Sequence, residues 1–230
     1  YFISMKYIVL LSILFTTYSC NTSYQNVNNI RGQVATLKFK NGQTLQGNIH
    51  IESLSDYSGV RNVLFAEGNS NNYTSYPILD IDEMFYNGST YAVRRIVGPE
   101  MFGGNGIRFI RQITQPNSKG FHLYESESKE MLAGGKVQIE MHLYVQLPNN
   151  KSDVYDAQSD WFIPNFNEKT ANYFQDCPVL FQKIKNKQKG YFYALVNQGE
   201  IQRKQVWMNI WNDYNKYKNY NIIEVIYYIP

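Results

Sequence analysis

The feature that most constrains the fold is the dipeptide Asn41-Gly42, which lies between two segments that alternate apolar and polar residues. Asn and Gly both tolerate the positive φ angles of a tight turn, so this dipeptide is the strongest short signal for a β-hairpin. The pattern predicts a strand over Val34–Phe39 and a return strand over Thr44–Ile51. Gly47, inside the return strand, indicates a bulge or a close approach of another backbone.

Other segments repeat the same period of two. A second Asn-Gly dipeptide, Asn87-Gly88, is expected to join Met84–Tyr86 to Thr90–Val97 in another hairpin. The cleanest alternation is Val137–Leu147, whose odd-numbered positions are all apolar, so one face should be buried and the other should face water. The first hairpin also resembles the bent hairpin of small SH3-like or Sm-like barrels. The other predicted strands are Asn62–Glu67, Ile107–Thr114 and Phe121–Ser126.

Helical signals begin near residue 165. Asn165 or Asn167 can cap a helix, and Asp176-Cys177-Pro178 predicts the start of a second one, because Pro is favoured in the first turn. The segment Ile201–Tyr217 is the longest amphipathic stretch. The apolar positions that define it are Val206, Ile210, Tyr214 and Tyr217, flanked by Trp207 and Trp211.

Strands therefore come first and helices later, which is typical of the α+β class. We expect a mostly antiparallel sheet or partly open barrel in the N-terminal two thirds, with the helices of the C-terminal third packed on it. The apolar segment Ile222–Ile229 is expected to close the chain as a strand, and Tyr191–Val196 is expected to be extended. Ordered structure should begin near Gly32 and form a single domain over residues 32–230.

The segment Met5–Cys20 is typical of a bacterial lipoprotein signal. One lysine precedes an apolar run, Tyr7–Phe15, that is much shorter than the roughly 20 residues needed to span a bilayer. Ser19 supplies the small residue that should precede a lipidated cysteine, here Cys20. An ordinary cleaved signal and an uncleaved membrane anchor are the alternatives, because residues 17–18 depart from the usual pattern.

This interpretation divides the N-terminal region into a signal peptide, residues 1–19, and a lipid-anchored polar tether, residues 20–31. Residues 1–4 would lie upstream of the true start at Met5. Lipidation of Cys20 would anchor the protein stably to a membrane. We therefore predict a location in the bacterial cell envelope, at the outer membrane, on either of its faces.

Charge and cysteine content exclude some classes of partner. The formal net charge is +3, and Lys6 is the sole charged residue of the signal, so the remaining small charge argues against nucleic acid. The densest basic run, residues 183–189 with Arg203 and Lys204, is interpreted as a solvated helix end, with a patch for anionic surfaces as the alternative. Lipidation of Cys20 would leave Cys177 alone, so no intramolecular disulfide is expected.

No stretch carries an assembled catalytic, cofactor or metal motif, and we predict no cofactor. The glycine-rich segment Gly98–Gly106 lacks the Lys-Ser/Thr pair of a phosphate loop and is interpreted as a turn. Two acidic clusters are interpreted as solvated loop or helix-cap charges, with a weak cation site and a carboxylate pair for glycan hydrolysis as alternatives. The clusters are Asp80, Asp82 and Glu83, and Asp153, Asp156 and Asp160.

Histidines and tyrosines complete the candidate chemistry. His50, His122 and His142 lie far apart on predicted strands, so no zinc site is expected, and His142 is placed on the water-facing side of its strand. Several tyrosines would form a platform for stacking on sugars or peptides if they were exposed together, and would be half-buried sheet residues otherwise. These tyrosines are Tyr73, Tyr76, Tyr86, Tyr91, Tyr124 and Tyr144.

The C-terminal region resembles a family of uncharacterised secreted or lipid-anchored proteins of Gram-negative envelopes. The positions that carry the resemblance are Asn41-Gly42, Phe121–Tyr124, Asp176-Cys177-Pro178 and Tyr214-Asn215. Because that family has no established activity, the resemblance implies an envelope location and no particular chemistry.

The leading hypothesis is a non-catalytic lipoprotein that is anchored through Cys20 and binds another envelope component, either a protein or a glycan. The alternative from another class is an envelope hydrolase that acts on glycan through carboxylates separated in sequence. A structural spacer is the third interpretation. A deep cleft with two facing carboxylates would favour the enzyme, and an exposed aromatic face or sheet edge would favour binding.

Overall fold

The structure, a computed structural model, has strands in the first two thirds of the chain and helices in the last third. This arrangement confirms the predicted α+β class. The described residues are 29–52, 60–97, 106–115, 120–131, 137–150, 152–194 and 199–227.

Within these ranges, ten strands belong to one sheet. They are β1 (Asn29–Phe39), β2 (Thr44–Glu52), β3 (Asn62–Glu67), β4 (Thr74–Pro77), β5 (Ile81–Tyr86), β6 (Ser89–Val97), β7 (Ile107–Gln112), β8 (His122–Met131), β9 (Val137–Gln146) and β10 (Asp153–Asp156). The first five form an N-terminal barrel sheet in the order β5-β1-β2-β3-β4. The last five follow in sequence order, and β10 also pairs with β6, so β6 to β10 close into what we call the ring.

Both predicted Asn-Gly hairpins are confirmed. Gly42 has φ +88° in the turn between β1 and β2, which is favourable only for glycine. Asn87 and Gly88 have φ +46° and +72°, the two positive values that a tight hairpin turn requires. Local turn chemistry therefore sets the register of both hairpins.

Gly47 marks a close approach of two backbones. A Cβ at this position would lie 2.0 Å from the carbonyl oxygen of Ala66 on β3. The bulge of the hairpin lies instead in β1, between Arg31 and Gln33. Because β1 begins at Asn29, ordered structure starts before the predicted boundary and includes the end of the predicted tether.

The sheet forks along β6. Residues 89–92 pair with β5, whereas residues 95–97 pair in parallel with β10. Arg94 lies at the fork, where its Nη1 is 3.6 Å from Asp82 on β5 and its Nε donates to Gln146 on β9 at 3.0 Å. This side chain thus ties the N-terminal barrel sheet to the ring.

The interior of the ring is filled by side chains from each of its strands, and this arrangement overturns one prediction. At Tyr144 and Gln146 the face of β9 that should contact water is buried, since they are 7% and 4% exposed, whereas His142 on the same face is half-exposed. Closure of the ring turns the polar face of β9 into an interior. The apolar residues of that interior are Ala92, Ile96, Ile110, Tyr124, Tyr144 and Val154.

Two larger cores lie outside the ring. On one side, Val93 and Phe109 pack into the apolar interior of the N-terminal barrel sheet. On the other side, Leu143 and Val145 pack under the helices, with Trp207 at the centre of an aromatic cluster. The ring is therefore covered on two sides by the rest of the fold.

The helices largely start where their caps predict. Asn165 occupies the N-cap position of the first and Cys177 that of the second, with Pro178 in its first turn, but neither side chain makes a capping hydrogen bond. The third begins directly after Gly199, and it buries the predicted face through Val206, Trp207, Ile210 and Tyr214. The helices are α1 (Phe166–Ala171), α2 (Pro178–Lys185) and α3 (Glu200–Tyr227).

Two local predictions fail for physical reasons. The closing strand from Ile222 is wrong, because no Gly or Pro separates this segment from α3 and extending a helix is easier than starting a new element. Residues 153–156 are not a loop but β10, and one of its two partners, β6, is distant in sequence.

Candidate functional site

The predicted platform of six tyrosines is not assembled. Tyr86, Tyr91, Tyr124 and Tyr144 are buried and Tyr76 is half-buried, so the buried-sheet alternative describes them. Tyr73 is 41% exposed and makes an edge contact with His50. These residues therefore offer no common surface for a ligand.

A different aromatic surface is exposed beside β10. The ring of Trp161 stacks on that of Tyr155, with centroids 4.5 Å apart and planes inclined by 18°. Trp161 is 44% exposed, whereas Tyr155 is 8% exposed, so Tyr155 supports one face of the indole from beneath. We call the surface formed by Trp161, Tyr155, Tyr173, Arg95 and Asp153 the Trp161 shelf.

The position of Trp161 is fixed from three directions. Its Nε1 donates a hydrogen bond to the Tyr173 hydroxyl at 3.1 Å. The turn after β10 is tightened by Asp156, whose Oδ1 accepts from the amide of Gln158 at 2.7 Å. The next residue, Phe162, is fully buried and anchors the segment in the core. An indole held in this way loses little conformational freedom when it binds a ligand.

An ion pair borders the aromatic surface. Arg95 donates two hydrogen bonds of 2.8 Å to the two carboxylate oxygens of Asp153, which lies two residues before Tyr155 on β10. The hydrogen bonds from Arg95 lower the pKa of Asp153, so its carboxylate stays ionised. Burial raises the pKa of Tyr155, and the charge of Asp153 raises it further. The hydroxyl of Tyr155 accepts from Asn150 Nδ2 at 3.3 Å.

The Trp161 shelf combines a rigid apolar plane with hydrogen-bonding groups at its edge. Sugar rings are amphipathic in the same way, with apolar C–H faces and hydroxyl groups around the rim. Tryptophan and tyrosine are favoured where one side of a contact is apolar and the other is wet. Stacking on a sugar ring is the chemistry that this arrangement suits best.

Sequence reasoning missed this surface. Trp207 and Trp211 belong to an amphipathic pattern, but Trp161 belongs to none. The available signal was that Trp161 lies in a segment without apolar periodicity. The pattern assigns such a tryptophan to no buried face. Its stacking partner is not predictable, because Tyr155 is placed by the pairing of β10 with β6 and β9, which has no local sequence signal.

Members of both acidic clusters lie beside basic side chains. Lys38 Nζ lies 3.1 Å from Glu83 and 3.8 Å from Asp82. Asp156 Oδ2 lies 3.6 Å from His142 Nδ1. Among the described residues, no group of acids, histidines or cysteines could hold a metal ion.

The three histidines lie on three different strands, His50 on β2, His122 on β8 and His142 on β9. His122 stacks on Tyr124 inside the ring, with centroids 5.7 Å apart. Burial lowers the pKa of His122 to about 4, and the charge of Arg94 lowers it further. The imidazole is therefore neutral in the folded protein at neutral pH.

The basic run contributes individual contacts. Lys183 Nζ lies 2.6 Å from Asp213 Oδ2, which also accepts from the Tyr191 hydroxyl at 2.6 Å. Lys187 lies over the ring of Phe192. Lys204 on α3 pairs with the buried Glu125 at 2.8 Å. Lys183 and Lys204 are thus held in place by carboxylates.

A shallow groove of about 340 Å³ lies between the outer face of the ring and the first turns of α3. The buried carboxylate of Glu125 is paired there with Arg111 as well as with Lys204. The lining residues are Arg111, Glu125, Met141, His142, Leu143, Ile201 and Lys204. Within this lining, the side chains of Arg111 and Lys204 bind the carboxylate of Glu125.

The structure describes one of the two cysteines, Cys177. Cys177 is a buried thiol at the N-cap position of α2. Cys20, the predicted lipid attachment site, lies outside the described residues, as do the signal segment and residues 98–105 of the glycine-rich connection.

No protein-family model matches the chain, and no curated protein or solved structure matches it either. The resemblance to Gram-negative envelope proteins therefore stays a prediction. Across the described ranges, no helix is both long enough and apolar enough to cross a membrane.

Proposed function

We propose that the chain is a lipoprotein of the bacterial cell envelope, anchored through Cys20, whose domain binds an envelope glycan at the Trp161 shelf without catalysing a reaction. The observation that carries the binding proposal is the stack of Trp161 on Tyr155 at 4.5 Å. It leaves a tryptophan 44% exposed although its orientation is fixed. A structural spacer would gain nothing from holding such a residue at the surface.

The charges beside the shelf favour binding over hydrolysis. A glycosidase needs one carboxyl group that stays protonated, which requires a raised pKa. Asp153 has a lowered pKa because Arg95 donates to it. This carboxylate suits hydrogen bonding to sugar hydroxyls.

Support for the anchor comes from the sequence. The segment Met5–Cys20 has the order of a lipoprotein signal, and the first strand begins at Asn29. Residues 21–28 can span at most about 30 Å when fully extended. The domain would therefore lie close to the membrane that holds the lipid.

Binding is tested with two glycan probes, insoluble peptidoglycan sacculi and soluble lipopolysaccharide O-chains. We expect the protein to cosediment with the first or to be titrated by the second. Trp161→Ala should weaken that binding about tenfold or more, the typical loss for an aromatic anchor. Phe85→Ala is the matched control, because Phe85 is 53% exposed on β5, outside the shelf.

Two results would contradict the binding proposal. One is the absence of binding to both glycans, which would favour a protein partner or a spacer. The other is equal binding by Trp161→Ala and the wild type while circular dichroism shows both to be folded.

The anchor is tested separately by the mass of the N-terminal peptide from protein purified out of its native membrane. We expect a chain that begins at Cys20 and carries acyl groups, and we expect Cys20→Ala to leave the membrane fraction. An unmodified chain that begins elsewhere would overturn the anchor and leave the glycan proposal standing.

A further inference from the structure

Two arginines face each other inside the ring. Arg94 on β6 and Arg108 on β7 are directly opposite in the antiparallel ladder. They share a face with Ala92, Ile96 and Ile110, which line the interior of the ring. Like charges at directly opposite positions destabilise a sheet. The pair therefore needs compensating negative charge.

Arg94 has its compensation. Its Nη1 lies 3.6 Å from Asp82, and Nη1 also donates to the carbonyl of Val93 at 2.8 Å. Its Nε is shared between Gln146, at 3.0 Å, and the hydroxyl of Tyr124, at 3.1 Å. The Arg94 side chain is 12% exposed, and both its Nε and its Nη1 have acceptors.

Arg108 has no such compensation among the described residues. Its Nε is buried and has no hydrogen-bond partner, and none of the ion pairs found among the described side chains involves Arg108. A buried donor without a partner costs about 1–3 kcal/mol, and more when the group is charged. Arg111, on the same strand, differs because it pairs with Glu125.

The end of β7 that carries Arg108 is open on the side of β8. Strand β7 pairs with β8 at Arg111 and Gln112, and the ladder does not continue to the end of β7 that carries Arg108. The Arg108 side chain is half-exposed. Beyond the last pair, Ser126 on β8 is directly opposite His142 on β9. Both side chains can donate hydrogen bonds to an oxyanion.

We propose that Arg108 anchors a binding site for an oxyanion, a carboxylate or a phosphate group, at this end of the ring. The planar guanidinium can give two parallel hydrogen bonds to such a group. The carboxylate of Asp156 is 3.6 Å from the imidazole of His142. The site is independent of the Trp161 shelf, and each can fail without the other.

The test measures thermal unfolding of the full chain with inorganic phosphate, and then with acetate, at constant ionic strength. Phosphate stabilises many proteins by exclusion from their surface, so the readout is the difference between variants. We expect a saturable rise in Tm for the wild type and for Arg61→Gln, whose arginine is exposed at the start of β3. Arg108→Gln should weaken the phosphate affinity about tenfold or more.

Arg108→Gln should also fold at least as well as the wild type without phosphate, because it removes an uncompensated charge. A response that is the same in the wild type and Arg108→Gln would overturn the proposal. So would an equal loss in Arg61→Gln, or a wild type that shows no saturable response to either anion. A saturable response to phosphate alone would identify a phosphate-bearing ligand, and a response to both anions would include carboxylates.

Discussion

Strands β2 and β9 have similar sequence patterns and opposite environments. In β2, Leu45, Ile49 and Ile51 are buried while the alternate positions are exposed or half-exposed. In β9, Leu143 and Val145 are buried, but so are Tyr144 and Gln146 on the other face. The first strand belongs to a sheet with one wet face, and the second belongs to the closed ring.

The difference between β2 and β9 shows what alternation of apolar and polar residues determines about a strand and what it leaves open. A period of two says which residues share a face, because side chains point to opposite sides in turn. Whether the second face meets water depends on which strands close around it. For β9 the closing contact is the pairing of β10 with β6, which joins residues far apart in sequence.

The largest expected effect tests the buried side of β2. In Gly47→Ala, the added Cβ would lie 2.0 Å from the carbonyl oxygen of Ala66, which is backbone and cannot turn away. We expect the free energy of unfolding, measured in urea, to fall by more than about 4 kcal/mol.

Gly42→Ala is the control for this change. Gly42 has φ +88° but has nothing within 4 Å of an added Cβ, so only backbone strain contributes. A loss of about 1 kcal/mol is expected. Similar losses for the two variants would show that β2 and β3 are farther apart than the structure places them.

The second prediction tests the interior of the ring. Tyr144→Ala removes a side chain that is 7% exposed, so we expect a loss of about 3 kcal/mol in the free energy of unfolding. If that face of β9 were wet, the loss would be within about 0.5 kcal/mol. Asn48→Ala, on the half-exposed face of β2, is the matched control and should be nearly neutral.

Local chemistry was sufficient to predict much of the fold. The Asn-Gly turns, the start of α2 at Pro178 and the break at Gly199 each depend on a residue and its near neighbours. They were readable because the physical cause lies within a few positions of its effect. The end of α3 was misread for a related reason, since β-branched residues favour strands locally but the preceding helix continues through them.

The candidate site could not be predicted in the same way. Trp161 meets Tyr155 because β10 exists, and β10 exists because it pairs with β6 and β9. The charge of Arg108 could be read from the sequence, but its lack of a partner is a property of the closed ring. Both sites depend on contacts between segments that are distant in sequence. No periodic pattern of residues reveals such contacts.

The third prediction concerns the pH dependence of stability and again tests whether the interior of the ring is shielded from water. His122 lies inside the ring, and its pKa is lowered to about 4 by burial and by Arg94, whereas an unfolded chain has the ordinary value near 6.5. Between pH 6.5 and 4 the unfolded state therefore binds a proton that the folded state does not. Stability should fall as the pH is lowered through this window, and this contribution should level off below it.

Urea unfolding across this pH range measures the effect, whose slope for one proton is at most about 1.4 kcal/mol per pH unit. His122→Asn should flatten the profile in that window. A titration of the His122 ring protons by NMR is the direct check. A midpoint near the ordinary value would show that water reaches the imidazole inside the ring.

The smallest expected effect lies on the wet face of the N-terminal barrel sheet. Lys38 and Glu83 are directly opposite on β1 and β5, with Nζ 3.1 Å from Oε2. The Lys38 side chain is 51% exposed, and the hydrogen bond and charge of Glu83 raise its pKa. Water and salt screen such a pair, so Lys38→Met should lower the free energy of unfolding by less than about 0.5 kcal/mol.

A double-mutant cycle of Lys38→Met with Glu83→Gln measures the pair itself. Its coupling energy should be small at low salt and should decrease further at high salt, because exposed charges are screened. A coupling above about 1 kcal/mol that salt does not change would mean that this face is shielded from water. In that case the N-terminal barrel sheet, like the ring, would be shielded from water on both faces. β2 and β9 would then differ only in the sizes of the side chains packed around them.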